Sequence, residues 1–165
     1  MRNLPNIKYD VMKKVEIEEV SLLIRELFDE FIGFDYRQKG KDTFLDYIDP
    51  ENIKNRFDKE NHQFIIAKDE NKIIGIIEVR DFNHISLLFV DKSYHQQGIA
   101  KTLFQKVIAI CLKHNPKLAE IEVNSSLYAA EIYKKLGFEK TDNRQEKDGI
   151  IYIPMRYKIN NKKGE

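Results

Sequence analysis

The stretch at residues 84–112, HISLLFVDKSYHQQGIAKTLFQKVIAICL, decides the fold of this chain. It begins with a strand-like apolar run, passes through a polar turn and reaches Gly98. Beyond Gly98, apolar residues recur at helical spacing as far as Cys111. A strand that feeds a helix through a glycine turn aims several unpaired backbone N–H groups at one point, at the positive end of the helix dipole. The stretch therefore predicts an anion site, most simply for phosphate.

The candidate phosphate loop is residues 94–101, YHQQGIAK. Gly98 allows the backbone to approach a ligand closely, and Ala100 keeps the next turn small. The glycine spacing excludes a Walker loop and the three-glycine dinucleotide fingerprint. Because an ordinary tight turn also uses glycine before a helix, both interpretations stand on these residues alone.

Composition narrows the class of protein. The 165 residues are 42% hydrophobic, which suits one domain with its own core. Lys plus Arg (28) nearly balances Asp plus Glu (27), so charge favours neither duplex nucleic acid nor an anionic membrane as a partner. The single cysteine, Cys111, excludes an internal disulfide and a thiolate zinc cluster, and its helical position predicts a core role. We find no apolar run of transmembrane length and no signal-peptide pattern, and therefore expect a cytoplasmic protein.

Hydrophobic periodicity and turn residues predict alternating strands and helices. The expected strands are 7–12, 64–67, 73–79, 84–90, 118–123, 138–141 and 150–159, with a polar connection at 142–148. The expected helices are 16–33, a short one capped by Asp42 or Thr43, a further turn at 53–57, 99–114, and one from Ser125 or Ser126 to Gly137. Strand, helix and strand from Ile85 to Val123 form one parallel crossover. This order predicts a mixed sheet with helices on both faces.

A second motif lies at residues 123–140, VNSSLYAAEIYKKLGFEK. Together with HQQGIA it resembles the GCN5-related N-acetyltransferase (GNAT) superfamily, in which Gln/Arg-x-x-Gly-x-Gly/Ala precedes a strand–Asn–helix–Tyr–x–x–x–Gly–Phe segment. The matching residues are Gly98, Ala100, Asn124, Tyr133, Gly137 and Phe138. One departure is His95, which stands at the Gln/Arg position.

The resemblance implies an α/β (α+β) fold: a mixed, largely antiparallel twisted sheet of about six to seven strands with helices on both faces. It implies one acetyltransferase domain over residues 1–165. Within it, 1–60 form a helical acceptor-side region, 61–140 the acetyl-CoA-binding core, 141–159 the closing strands and 160–165 a tail. Phe34, Tyr36, Phe44 and Tyr47 are expected in the acceptor wall, although core packing is the simpler role for the phenylalanines.

The resemblance also implies where acetyl-CoA lies. Pantetheine would pair with the backbone of residues 88–90 where this strand splays from the next parallel strand, and the pyrophosphate would lie on residues 96–101. The implied cofactor-binding residues are Leu88, Phe89, Val90, His95, Gln96, Gln97, Gly98, Ile99, Ala100, Lys101, Thr102, Asn124, Ser126 and Tyr133. Ser126 is also a candidate helix cap, and capping is the more ordinary role.

The implied reaction is direct attack of a primary amine on acetyl-CoA in a ternary complex, which needs no metal and no protein nucleophile. A protonated amine cannot attack a thioester, so a base or water must remove a proton, and an acid must assist the leaving thiolate. Tyr133 matches the family's acid. His84, expected to share a strand face with Ser86, Leu88 and Val90 and to titrate near neutrality, and Glu78 are the candidate bases; a water chain needing neither is the alternative.

Two other classes of function stay open on the sequence. The chain is also compatible with a catalytically silent acyl-CoA-binding sensor, or with an interaction protein that keeps only the fold. We expect acetyl-CoA and an amine, on a small molecule or a protein, as its partners, and either a monomer or a homodimer. Nothing in the sequence selects the acceptor.

Overall fold

The computed structural model describes residues 6–159. The strands are β1 Ile7–Val11, β2 His62–Asp69, β3 Lys72–Arg80, β4 His84–Val90, β5 Glu120–Ser125, β6 Glu139–Lys140, β7 Gln145–Lys147 and β8 Ile150–Lys158. The α-helices are α1 Ile17–Phe31, α2 Gln38–Tyr47, α3 Pro50–Phe57, α4 Ile99–His114 and α5 Ala130–Leu136. The tail predicted at 160–165 lies outside the described residues.

The strands form one open sheet in the order β1-β2-β3-β4-β5-β8-β6, and β7 pairs with β8. Every pairing is antiparallel except that of β4 with β5. The predicted mixed, largely antiparallel fold is therefore confirmed, with eight strands instead of six or seven.

The parallel pair β4 and β5 is short. Register partners exist only at His84 with Glu122 and at Ile85 with Val123, although β4 continues to Val90. From Ser86 onward the two strands diverge and leave a gap in the middle of the sheet. This gap corresponds to the splay that the family resemblance implied.

The sheet carries a hydrophobic layer on each face. Residues of β2 alternate between the layers: Ile65 and Ala67 pack with α4 and α5, whereas Phe64 and Ile66 pack with α1 and α3. Because both faces are covered, the central strands read as nearly continuous apolar runs. The divergence of β4 from β5 opens a passage between the two layers.

A β-bulge interrupts β4. Leu87 lies opposite Glu78 and Ile85 opposite Val79, so Ser86 has no partner on β3. As a result Ile85 packs in the same layer as Leu88, whereas Leu87 packs in the other. The expectation that His84 shares a face with Leu88 and Val90 is therefore wrong, because it assumed unbroken alternation.

The connection at 142–148 is not a simple polar loop, because it contains β7. The hairpin from β7 to β8 turns at Asp148 and Gly149, both with positive φ (52° and 80°), as a two-residue hairpin turn requires. Gly149 lies against Gly40 of α2, where an added Cβ would be 2.1 Å from the Gly149 carbonyl oxygen. Helix α2 begins at Gln38 with Arg37 as its N-cap, so the expectation of a cap at Asp42 or Thr43 is wrong.

Among residues 6–159, no helix has the length and apolar character needed to cross a membrane.

Candidate active site

The start of α4 presents unpaired backbone donors. Gln96 and Gly98 have positive φ (63° and 77°), which turns the chain sharply into the helix. The first bond of the new helix runs from the Thr102 N–H to the Gly98 carbonyl at 3.0 Å. In the described part of the chain, no acceptor pairs with the N–H groups of residues 96–101. The space beside Gly98 is open, since an added Cβ there would meet nothing within 4 Å.

The loop that leads to these donors is held at three points. The Tyr94 hydroxyl donates to Asp69 at 2.5 Å, and Lys92 pairs with Glu30 of α1 at 2.8 Å. The third point is His95, whose Nε2 lies 2.7 Å from the carbonyl oxygen of Val90. The loop is therefore fastened to β2, to α1 and to the end of β4.

The open edge of β4 continues from the donors. The N–H of Asp91 donates to Ile74 of β3 at 2.8 Å, so Asp91 faces β3. Because successive residues of a strand direct their backbone groups to opposite sides, Leu88 and Val90 face the splay. A strand-like ligand segment would find its hydrogen-bonding partners there.

A cavity of about 420 Å³ joins this edge to the donors of α4. Of the predicted cofactor-binding residues it is lined by Leu88, Phe89, Val90, His95, Gln96, Gly98, Ile99, Ala100, Lys101 and Tyr133. Gln97, Thr102, Asn124 and Ser126 are not among its lining residues. Asn124 is exposed on β5, and Ser126 accepts a hydrogen bond from the Ala129 N–H at 3.1 Å, which is the capping role.

Two cavity-lining residues that sequence reasoning missed are Phe31 and Tyr128. Their rings stack with centroids 5.0 Å apart and planes 16° from parallel, so they bridge α1 and the β5–α5 loop. No local pattern signals this contact, because the two residues are remote in sequence and belong to opposite layers.

Only part of the predicted acceptor wall is enclosed. Phe44 stacks on Phe28 at 4.4 Å, and Tyr36 meets Phe28 edge-on at 5.3 Å, whereas the Phe34 side chain is 72% exposed. The Arg56 guanidinium lies over the Tyr47 ring, with its Cζ 3.6 Å from the ring centroid.

Tyr133 points from α5 into the cavity and is buried, with only 5% of its surface exposed. Its ring meets Phe138 edge-on at 5.2 Å. Its hydroxyl donates to no acceptor within residues 6–159. Burial in this apolar setting raises the pKa of the phenol, so it keeps its proton at neutral pH.

Neither candidate base lines the cavity. Glu78 is fully buried; Arg56 binds both of its oxygens (2.9 and 3.2 Å), and His62 Nδ1 lies 2.7 Å from Oε2. Its carboxylate is committed to this network, which involves two residues that sequence reasoning gave no role. Burial, and then the nearby charge of Arg80, lower the pKa of His84 to about 4, so the expectation of titration near neutrality is wrong.

Cys111 is buried in the α4 layer, and burial raises the pKa of its thiol to about 11. It therefore stays a thiol and packs as a core residue. Within residues 6–159, no group of three or more His, Cys, Asp or Glu side chains is placed to hold a metal ion.

The geometry defines one cleft in which the open edge of β4 adjoins the unpaired N–H groups at the start of α4. Residues 33–159 match the family of acetyltransferase (GNAT) domains. This chain belongs to the GNAT family, as the two sequence motifs indicated.

Similar proteins agree with this assignment. An uncharacterized N-acetyltransferase of Methanocaldococcus jannaschii is 26% identical over 148 residues, which is 82% of this chain and 63% of that protein. The chain therefore spans less than two thirds of that relative's length. The PaiA N-acetyltransferase of Thermoplasma acidophilum, solved in complex with coenzyme A, superposes with a TM-score of 0.77 at 19% identity, covering 93% of this chain and 99% of that one. A GNAT acetyltransferase of Staphylococcus aureus superposes with a TM-score of 0.73 at 21% identity, with the same coverage. At these identities the two structures show a shared fold.

Proposed function

We propose that residues 1–165 form one N-acetyltransferase domain that moves an acetyl group from acetyl-CoA to a primary amine. The observation that carries this proposal is the continuity of the site. The open edge of Leu88 and Val90 runs through one cavity into the unpaired N–H groups of residues 96–101. Pantetheine supplies amides for the first part, and the pyrophosphate suits the second.

The family assignment supports this choice of ligand. A structure of the same fold, the Thermoplasma acidophilum protein, was solved with coenzyme A. With a net charge of +1, this chain offers no strong general attraction for anions, so local groups, the N–H groups of residues 96–101 and the cavity-lining Lys101, supply the phosphate binding.

The reaction we propose is direct transfer. The free amine attacks the thioester carbonyl, a C–N bond forms, and the C–S bond breaks to release the CoA thiolate. N–H groups on the open edge of β4 stabilise the negative charge that develops on the carbonyl oxygen. The Tyr133 hydroxyl, which belongs to a cavity-lining residue and has no acceptor within residues 6–159, donates a hydrogen bond to the leaving thiolate. The proton that the amine loses balances the one that the thiolate gains.

We propose that water, rather than a cavity side chain, removes the ammonium proton. Glu78 is engaged by Arg56 and His62. His84 is uncharged above about pH 4 because of its low pKa, so it is a weak base, and it does not line the cavity. The rise of the reaction rate with pH, near neutral or alkaline pH, is then set by the pKa of the acceptor amine.

The test is thiol release from acetyl-CoA across a panel of primary amines, with a thiol-reactive dye, for the wild type and Tyr133→Phe. Turnover on at least one amine, strongly reduced in the variant, is the expected result. A second candidate function, a silent acyl-CoA sensor, is favoured by the absence of an uncommitted carboxylate among the described residues that line the cavity. Tight CoA binding without turnover on any amine would support the sensor and contradict the enzyme.

A further inference from the structure

His95 departs from the family pattern, and the structure gives it a contact of its own. Its Nε2 lies 2.7 Å from the Val90 carbonyl oxygen, five residues earlier in the chain. A carbonyl oxygen can only accept, so this contact requires the proton on Nε2. The bond closes the loop between the end of β4 and the start of the α4 donors.

The Val90 carbonyl has a particular place. It lies on the open edge of β4, since Asp91 pairs with Ile74 on the other side. Four backbone groups face the splay there, the N–H and C=O groups of Leu88 and of Val90. The His95 side chain donates to one of them, the Val90 carbonyl. A ligand that pairs with β4 as an added strand therefore meets a protein donor already seated at the Val90 carbonyl.

The free donors of the phosphate loop begin at the next residue. The N–H groups of residues 96–101 have no acceptor within the described chain, and Gln96 turns away from β4 with φ 63°. His95 thus stands at the boundary between strand-like binding and phosphate binding. Phe31, with its ring centroid 6.2 Å from that of His95, packs beside it.

We propose that His95 is a positioning residue: it ends the strand-like edge at Val90 and holds the donors of residues 96–101 at a set distance from that edge. It acts on the ligand through the backbone and not as a phosphate ligand. The proposal rests on the proposed function, because CoA is the ligand long enough to need both parts at once. A ligand that uses only one part does not depend on their spacing.

The chain allows a matched pair of substitutions. In His95→Gln the side-chain amide nitrogen reaches the position of Nε2 and can donate to Val90. In His95→Asn it reaches only the position of Nδ1. We expect His95→Gln to bind CoA within about twofold of the wild type and His95→Asn to bind it about tenfold more weakly, the worth of one ordinary hydrogen bond. Both variants should unfold at temperatures close to that of the wild type, since the loop is also held by Tyr94 and Lys92.

Half-ligands separate positioning from direct contact. S-acetylpantetheine lacks the pyrophosphate, and 3′-phosphoadenosine 5′-diphosphate keeps both phosphates of the pyrophosphate but lacks the pantetheine. Calorimetry or a competition assay should show that His95→Asn leaves the affinity for each half-ligand unchanged while CoA binding falls. Equal weakening toward the nucleotide half would make His95 a phosphate ligand, and failure of His95→Gln to preserve CoA binding would remove the role of Nε2. Either result overturns the proposal.

A ligand-free measurement keeps this proposal distinct from the proposed function. Nitrogen-15 NMR of the His95 ring should show the Nε2–H tautomer in the wild type without CoA. The Nδ1–H tautomer would overturn the positioning role, even in a protein that binds CoA well. Conversely, a wild type that fails to bind CoA but shows the Nε2–H tautomer would refute the proposed function while leaving the contact intact.

Discussion

Replacing Gly98 with glutamate tests the phosphate loop. Gly98 directly precedes α4 as its N-cap, with φ 77°, and an added Cβ would point into space with no atom within 4 Å. A side chain at this position therefore clashes with no other protein atom. Its cost to stability is the left-handed backbone conformation, which disfavours a non-glycine residue by about 1 kcal/mol. For a chain of this size that lowers the melting temperature by about 2–4 °C. Gly98→Glu should be folded.

The bound phosphate, by contrast, should repel the carboxylate that Gly98→Glu places beside it. A unit charge about 5 Å from a phosphate charge costs about 3 kcal/mol at an effective dielectric constant of about 20, which is roughly a hundredfold in affinity. Gly98→Gln is the matched control, because it has the same size and the same backbone strain without the charge. The comparison of the two variants isolates the electrostatic part from the steric part.

The assay is CoA binding by calorimetry at two salt concentrations. We expect Gly98→Glu to bind CoA far more weakly than Gly98→Gln, with the difference shrinking at high salt because the repulsion is screened. Equal affinities for the two variants, or wild-type affinity in Gly98→Glu, would show that the phosphates do not lie at the start of α4.

Three further outcomes follow from the structure. Tyr133→Phe should lower kcat by about a hundredfold in the thiol-release assay, since a positioned acid contributes about a hundredfold or more to the rate. The affinity for CoA should stay within about twofold of the wild type. An unchanged kcat would show that Tyr133 takes no part in the chemistry. Arg56→Met should destabilise the fold by about 3–5 kcal/mol in urea unfolding, because the buried Glu78 carboxylate loses its guanidinium partner and keeps only the weaker contact with His62. Arg56→Met/Glu78→Met should recover much of that loss, and a double variant worse than the single one would contradict this account. Folded His84 gains its proton only near pH 4, whereas the unfolded chain gains it near 6.5, so the unfolded state binds more protons between these values. Stability should therefore fall as the pH drops through this window, and less in His84→Gln than in the wild type; parallel pH profiles would show that the pKa of His84 is not lowered.

The central part of the fold could be predicted from sequence because its signals are local. A β-branched run over residues 84–90 and apolar spacing after Gly98 define a strand and a helix without reference to the rest of the chain. Chain order then implies the parallel crossover, and the resemblance to the GNAT superfamily implies the splay between its two strands. The predicted cofactor contacts lie in this part of the fold, since they involve mostly backbone groups at element ends.

The remaining features depend on contacts between distant residues. The bulge at Ser86 is set by pairing with β3, and it moves His84 away from the face assigned by alternation. Strand β7 is short and polar, and only its pairing with β8 and the close contact of Gly149 with Gly40 reveal it. Likewise, the role of Glu78 is decided by Arg56 and His62, which arrive from another helix and another strand.

The proposed placement of CoA puts its phosphates on the N–H groups of residues 96–101 and its pantetheine along Leu88 and Val90. Amide hydrogen exchange, measured by NMR on the ligand-free and the CoA-saturated protein, tests it most directly. In the ligand-free protein the amides of residues 96–101 should exchange rapidly, since they have no acceptor within the described chain. Saturation with CoA should slow their exchange together with that of the Leu88 and Val90 amides. Rapid exchange at residues 96–101 under saturation, with protection appearing elsewhere, would contradict the account.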